Sequence, residues 1–164
     1  MGWLFGHYDR KSLIEHLTNG NGVKTLKRCF RGNNMWTVQE TKEGVRFACL
    51  YLLRGSPRVT DDPCNWGYKD VDETMGPCQT DFPVAWLDLL SPIDSQYAVE
   101  WRAAVRARGE RLKRVVIGSV WDNGKHRYTV IKRRSPSSLV VRDEDGMHWR
   151  ISPSRLSNFD EVKT

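Results

Sequence analysis

VRFACLYLL, residues 45–53, is the segment that decides the architecture. Phe47, Cys49, Tyr51 and Leu53 fall on one parity, and Ala48, Leu50 and Leu52 on the other. A strand that is apolar on both parities needs cover on both faces, which places it in the middle of a sheet. Upstream, MWTVQET (35–41) alternates through Trp36, Val38 and Glu40, and VKTLKRCFR (23–31) offers Val23, Leu26 and Phe30 as apolar positions. Gly32-Asn33-Asn34 and Lys42-Glu43-Gly44 separate the three runs. Turns this short between adjacent strands predict an antiparallel meander.

Helical patterns flank the meander. Residues 9–20 (DRKSLIEHLTNG) place Leu13, Ile14 and Leu17 on one stripe, with Asp9 or Ser12 as the cap and Gly20 as the stop. Ser12 with Glu15 fits a capping box, and His16 reads as a surface residue. Downstream, Pro83–Leu90 and a second helix from Asp94 or Ser95 to about Ala107 are expected. Ser91-Pro92 and Arg108-Gly109 are their stops. Strands followed by helices make an α+β layer.

From Glu110 the pattern becomes short strands, at 112–121, 127–132, 138–141 and 148–151, with a single helical turn at 152–156 and a last strand at 159–162. Asp122-Asn123-Gly124 and Asp143-Glu144-Asp145-Gly146 are hairpin signals. Five short strands with one helical turn before the fifth predict a small SH3-like β-barrel. The expected division is therefore 1–108, an α+β domain, and 109–164, the barrel, with Gly109 at the boundary.

The 164 residues include seven Trp and are 39% hydrophobic, enough for a real core. No run of 18 apolar residues occurs, so no membrane span and no membrane partner are expected. The start, MGWLFGHYDRK, is too quickly charged for a signal peptide, and Gly6 stands where myristoylation needs Ser or Thr. A cytoplasmic location follows as the expectation. Cys29 and Cys49 lie in apolar runs as small buried thiols, while Cys64 and Cys78 bracket the central acidic stretch. No CxxC pair is present, and free thiols are the expectation. Charge is uneven: residues 1–107 hold 13 Lys+Arg and 13 Asp+Glu, whereas 108–164 hold 13 and 7. The whole excess of +6 belongs to the last third, which points to a polyanion partner there.

The most unusual stretch is NWGYKDVDETMGP, residues 65–77. Glycines, a proline and three carboxylates predict an ordered loop, either structural or a partner-binding surface built from Trp66, Tyr68, Lys69, Asp70, Asp72 and Glu73. Gly67 and Gly76 are candidates for unusual backbone angles. Asp70, Asp72 and Glu73 also offer oxygen ligands to a hard cation, with Asp61, Asp62 and Asp81 as added donors, the chemistry of a metal-dependent nuclease. The run does not match a calcium loop. No zincin, P-loop or nucleophile-elbow motif is present, and the four histidines are scattered. No catalytic residue, metal or cofactor is expected.

WGYKDVDETMGP, followed by Cys78, Phe82-Pro83 and WLDLLSP, resembles an uncharacterised family of small proteins carried by bacteria, phages and plasmids. Trp149-Arg150-Ile151 after the Asp145-Gly146 turn is similar to the same family's C-terminal module. The resemblance implies a mobile-element setting and, by analogy, a counter-defence role of the anti-CRISPR or anti-restriction kind.

The basic segment supplies the main function class. Lys125, Arg127, Lys132, Arg133, Arg134, Arg142, Arg150 and Arg155 are candidates for phosphate contacts. Trp121, His126, Tyr128 and Trp149 are candidates for base stacking or for filling the barrel. The expected function is non-catalytic engagement of nucleic acid or a nucleoprotein complex. A protein-only adaptor to a host protein through the acidic stretch, or the nuclease, are the alternatives.

Overall fold

The computed structural model describes residues 4–20, 22–55, 66–75 and 79–163. Cys64, Cys78, Asp61, Asp62, Gly76 and the expected loop at 56–63 lie outside the described residues. The chain divides into two compact units, Met1–Val105 and Arg106–Thr164. Each holds one five-stranded antiparallel sheet with a few helices, an α+β mixture.

The first unit contains β1 (Leu4–Tyr8), α1 (Arg10–Asn19), β2 (Lys24–Arg31), β3 (Asn34–Glu40), β4 (Arg46–Gly55) and β5 (Trp66–Asp72). The strand order is β1-β5-β4-β3-β2, so β4 is central, as its double-sided apolar pattern requires. Cys49, Tyr51 and Leu53 of β4 pack with Met35, Tyr68 and the α1 residues Leu13 and Leu17. Ala48 and Leu50 face the other way, onto Trp36, Val38, Phe82, Leu87, Trp101 and Val105. The second layer comes from a 3-10 helix, Val84–Leu89, and the first part of α2 (Gln96–Lys113). Each fully buried Leu here contributes about 1.5–3 kcal/mol of transfer free energy.

The stretch expected to be a loop is largely a strand. Residues 66–72 form β5, bonded to β4 on one edge and β1 on the other. Glycine and carboxylates argue against a strand locally, but pairing on both edges overrides local preference. Gly67 is a strand residue with no positive φ. A different glycine has the special role. Gly55 lies opposite Trp66 in the ladder, and a Cβ there would come within 2.6 Å of the indole. The missing side chain lets the ring cross the strand.

The helices also differ from their sequence signals. Asp9 caps α1, its carboxylate accepting from the Ser12 amide at 2.8 Å. Ser12 is thus a residue of the first turn, and the Ser12–Glu15 box does not form. The helix expected at Pro83–Leu90 is the 3-10 helix Val84–Leu89, and the chain then turns at once to β4: the Ser91 amide donates to the Arg46 carbonyl, and the Arg46 amide to the Ser91 hydroxyl, both at 2.9 Å. α2 runs through Gly109 to Lys113, and the division between the units falls within it. A helical glycine costs about 1 kcal/mol. The last turns are held by contacts that offset this cost. Arg108 donates to Ser154 and Asn158, Arg111 to the Phe159 carbonyl, and Val115 enters the core. Helix and turn consequently replace most of the strand expected at 112–121, leaving only β6 (Val120–Asp122).

The second unit continues with β7 (Arg127–Ser135), β8 (Ser138–Arg142), β9 (His148–Ile151), α3 (Pro153–Leu156) and β10 (Asp160–Val162), in the order β10-β6-β7-β8-β9. Trp121, fully buried, centres a core of Val115, Val130, Leu139, Val141 and Leu156. Its indole N–H donates to Ser119 at 2.9 Å. Gly124 and Gly146 take positive φ at the two expected hairpins. No pairing of β9 with β10 closes this sheet among the described residues. No helix among those residues is long and apolar enough to cross a membrane.

Candidate nucleic-acid interface

Strand register sorts the eight basic candidates of the second unit. Val130 and Val141 are paired and point into the core, so their ladder neighbours one residue away point out. Lys132 pairs with Val140, and Val140 with Arg150. In the next outward row Val120 pairs with Thr129, Thr129 with Arg142, and Arg142 with His148. Lys132, Arg142, His148 and Arg150 are all exposed, and all four stand on the same face. None of them forms an ion pair among the described residues. A depression of about 420 Å³ opens between Val120, Arg127, Thr129, Arg142, Asp143 and Glu144.

The other five candidates differ. Arg127 joins the same face but is bonded to Asp122 at 3.1 Å. Arg133 pairs with Leu139 and stays exposed, donating to the Val115 carbonyl at 3.0 Å and the Pro136 carbonyl at 3.4 Å. This follows from the ladder irregularity between Val130 and Lys132, which shifts the alternation by one residue. Arg133 is therefore a structural tether. Lys125 sits in the Asn123-Gly124 turn, Arg134 near the end of β7 and Arg155 on α3; all three are exposed and outside the two rows.

Trp121 fills the core and Tyr128 packs on Phe159. Trp149 is the aromatic left outside, 53% exposed. Its indole N–H donates to the Asp143 carboxylate at 2.7 Å, and that carboxylate also accepts from the Met147 amide at 2.8 Å. The indole hydrogen bond first, and then the Met147 and Asp145 amides, hold the Asp143 carboxyl below the usual carboxylate range. An exposed ring is thereby fixed in one orientation. The His126 imidazole lies 3.6 Å from Glu144, and the Asp122 carboxyl is lowered by the Gly124 amide and Arg127. His148 and Asp143 were missed as site residues in the sequence. Asp143 three residues before a turn glycine and six before Trp149 is the signal that marks such a clamp.

Two carboxylates of the acidic stretch, Glu73 and Asp72, are spent on structure. Glu73 is 1% exposed. Its carboxylate meets the Arg102 guanidinium twice, at 2.6 and 3.0 Å, and accepts from the Ala48 amide at 3.1 Å. Arg102 uses its third nitrogen on the Ser91 carbonyl at 2.9 Å. Bidentate pairing and full hydrogen bonding make this burial tolerable. Glu73 is thus withdrawn from the expected acidic ligand set. Asp72 turns the chain, accepting from the Thr74 amide at 2.7 Å and the Thr74 hydroxyl at 2.5 Å. Tyr68 is buried against Tyr51, and burial raises its phenol pKa. Asp70 and Lys69 are half-buried on opposite faces of β5, and Trp66 receives the Arg10 guanidinium over its ring. Asp81 accepts the Trp36 indole N–H at 2.9 Å. Among the described residues no group of three or more His, Cys, Asp or Glu is placed to hold a metal ion. Cys49 is buried, and Cys29 is half-buried with its thiol pKa pushed up by that burial.

Comparison of the chain with protein-family profiles, with curated proteins and with solved structures finds no match.

Proposed function

We propose that the chain is a non-catalytic binding protein that engages nucleic acid, alone or within a nucleoprotein complex, through the outer face of the second unit's sheet. The observation that carries this reading is the pair of adjacent rows, Lys132–Val140–Arg150 and Thr129–Arg142–His148, whose cations are exposed and free of ion pairs among the described residues. Cations spent on internal carboxylates have little left for phosphate; these have not been spent. The strand order β10-β6-β7-β8-β9, with α3 one turn long before β10, supports reading this unit as an SH3-like barrel. The mobile-element setting implied by the WGYKDVDETMGP resemblance makes such binding a counter-defence activity, in which the protein occupies nucleic acid or a guided complex that a host system needs. The burial of Glu73 against Arg102 counts against the nuclease alternative.

The test is binding of labelled DNA and RNA to the full chain over a range of salt, with and without magnesium. Retention that falls with salt, without cleavage, is the expected result. Joint reversal of Lys132, Arg142 and Arg150 to Glu should abolish it and flatten the salt dependence. Salt-insensitive binding, or an unchanged triple variant, would overturn the reading. In that event the protein-only adaptor, probed at Lys69 and Asp70, becomes the working alternative.

A further inference from the structure

Residues 1–107 are neutral by count, but their charges differ in how far the fold has used them. Asp9 caps α1, Glu40 is paired with Arg46 at 2.7 Å, Asp72 holds Thr74, Glu73 is buried on Arg102, and Asp81 binds an indole. Against these spent carboxylates, Arg10, Lys11, Lys27 and Arg28 form no salt bridge among the described residues. Arg10, Lys11 and Arg28 collect along one seam between α1 and the edge strand β2, where two adjoining clefts open, and Lys27, paired with Val38, borders the second cleft at the strand edge. The first, of about 410 Å³, is lined by Arg10, Lys11, Ile14, Glu15, Arg28 and Phe30. The second, of about 710 Å³, continues past Glu15 and Arg28 to Thr18, Lys24, Thr25 and Lys27. Glu15 is the one carboxylate in either lining.

The seam also has an aromatic component. Phe30 is 36% exposed, with the Arg10 guanidinium 5.5 Å and the Arg28 guanidinium 6.0 Å from its ring centre. Arg10 also lies 5.6 Å from the Trp66 ring. Guanidinium groups held over rings keep their N–H edges available for bidentate phosphate contacts. The buried Thr25 hydroxyl oxygen, in the lining of the second cleft, has no hydrogen-bond partner. We infer that this α1–β2 groove is a second polyanion site, which takes the phosphodiester backbone of a single-stranded nucleic acid with bases resting against Phe30. The bases of a single strand are free to rest on an exposed ring, whereas a duplex keeps its base faces stacked. The inference shares its ligand class with the proposed function but none of its residues.

Charge on an edge strand also discourages sheet-to-sheet pairing, and either sign of charge serves that purpose. Reversal variants therefore separate the two roles. In the full chain, Arg28→Glu and the double variant Lys24→Glu/Lys27→Glu should keep the parent's thermal melt. Each should lower affinity for single-stranded DNA or RNA, about tenfold for two lost phosphate contacts, and cut the log–log salt slope by about 0.7 per contact. Binding of duplex should be unaffected. Photocrosslinking of a labelled single strand to the unsubstituted protein should tag peptide 24–31 as well as β8–β9. If the groove variants bind as the parent does and peptide 24–31 is untagged, the second site is overturned while the face on the other sheet stands. If the groove variants lose binding and the Lys132/Arg142/Arg150 variant does not, the groove stands and the proposed face falls. Absence of binding by the parent overturns both.

Discussion

The two sheets use their charged residues in opposite ways. In the first, the acidic stretch sends one carboxylate inward: Glu73 is buried and its two oxygens are shared among Arg102 and Ala48. In the second, Lys132, Arg142 and Arg150 stand on a solvent face with no ion-pair partner among the described residues. The difference teaches that a dense run of charge in a sequence does not identify a working surface. What matters is whether each charge has been satisfied within the fold, and that is decided by residues far away. Arg102 is 29 positions from Glu73.

The contrast breaks most sharply at its buried end. Glu73→Ala leaves the Arg102 guanidinium buried without its anion and should destabilise the protein by about 3–5 kcal/mol in a denaturant titration. A metal ligand exposed on a loop would instead melt normally and lose only metal binding. Gly55→Ala should cost about 1–3 kcal/mol, because the new methyl overlaps Trp66 and the ring must move. Changed Trp emission would accompany the lower melting midpoint. At the exposed end, Lys132→Glu, Arg142→Glu and Arg150→Glu should each leave stability within about 0.5 kcal/mol while weakening nucleic-acid binding. A large fall in melting temperature for any of them would mean that it is structural, as Arg133 is.

The smallest expected effect is spectroscopic and lies at Asp143. The indole hydrogen bond holds its folded pKa below the usual carboxylate range, so the clamp on Trp149 is fully present within that range and above it. It is lost as pH falls through the lower folded pKa. Trp149 emission should shift in that acid range in the parent protein and show no such step in Asp143→Asn.

The parts of this fold that were legible in the sequence are those governed by short-range chemistry. The β2–β3–β4 meander follows from alternation and short turns, and the Gly124 and Gly146 hairpins from dipeptides that demand positive φ. β5 was hidden because its strand character comes from two partners, β1 and β4, which no local pattern reveals. The continuation of α2 through Gly109 was hidden because Arg108 and Arg111 reach residues 154–159 to secure it. At the candidate interface, residue types were readable and the sharing of a face was not. One irregularity between Val130 and Lys132 puts Arg133 out of the rows and opposite Leu139, and that shift has no mark in the composition of β7.

The pairing of β1 with β5 sets a schedule for the growing chain. Leu4 must wait for Tyr68, which is its partner in the ladder. At a synthesis rate of about 5–20 residues per second, that wait lasts roughly 3–13 s. During it the meander of β2, β3 and β4 can assemble from neighbours already made, while the first strand has no edge to join. Within this sheet β1 therefore waits for β5 while its other strands pair, and a ribosome pause before residue 66 would prolong its exposure to chaperones and proteases.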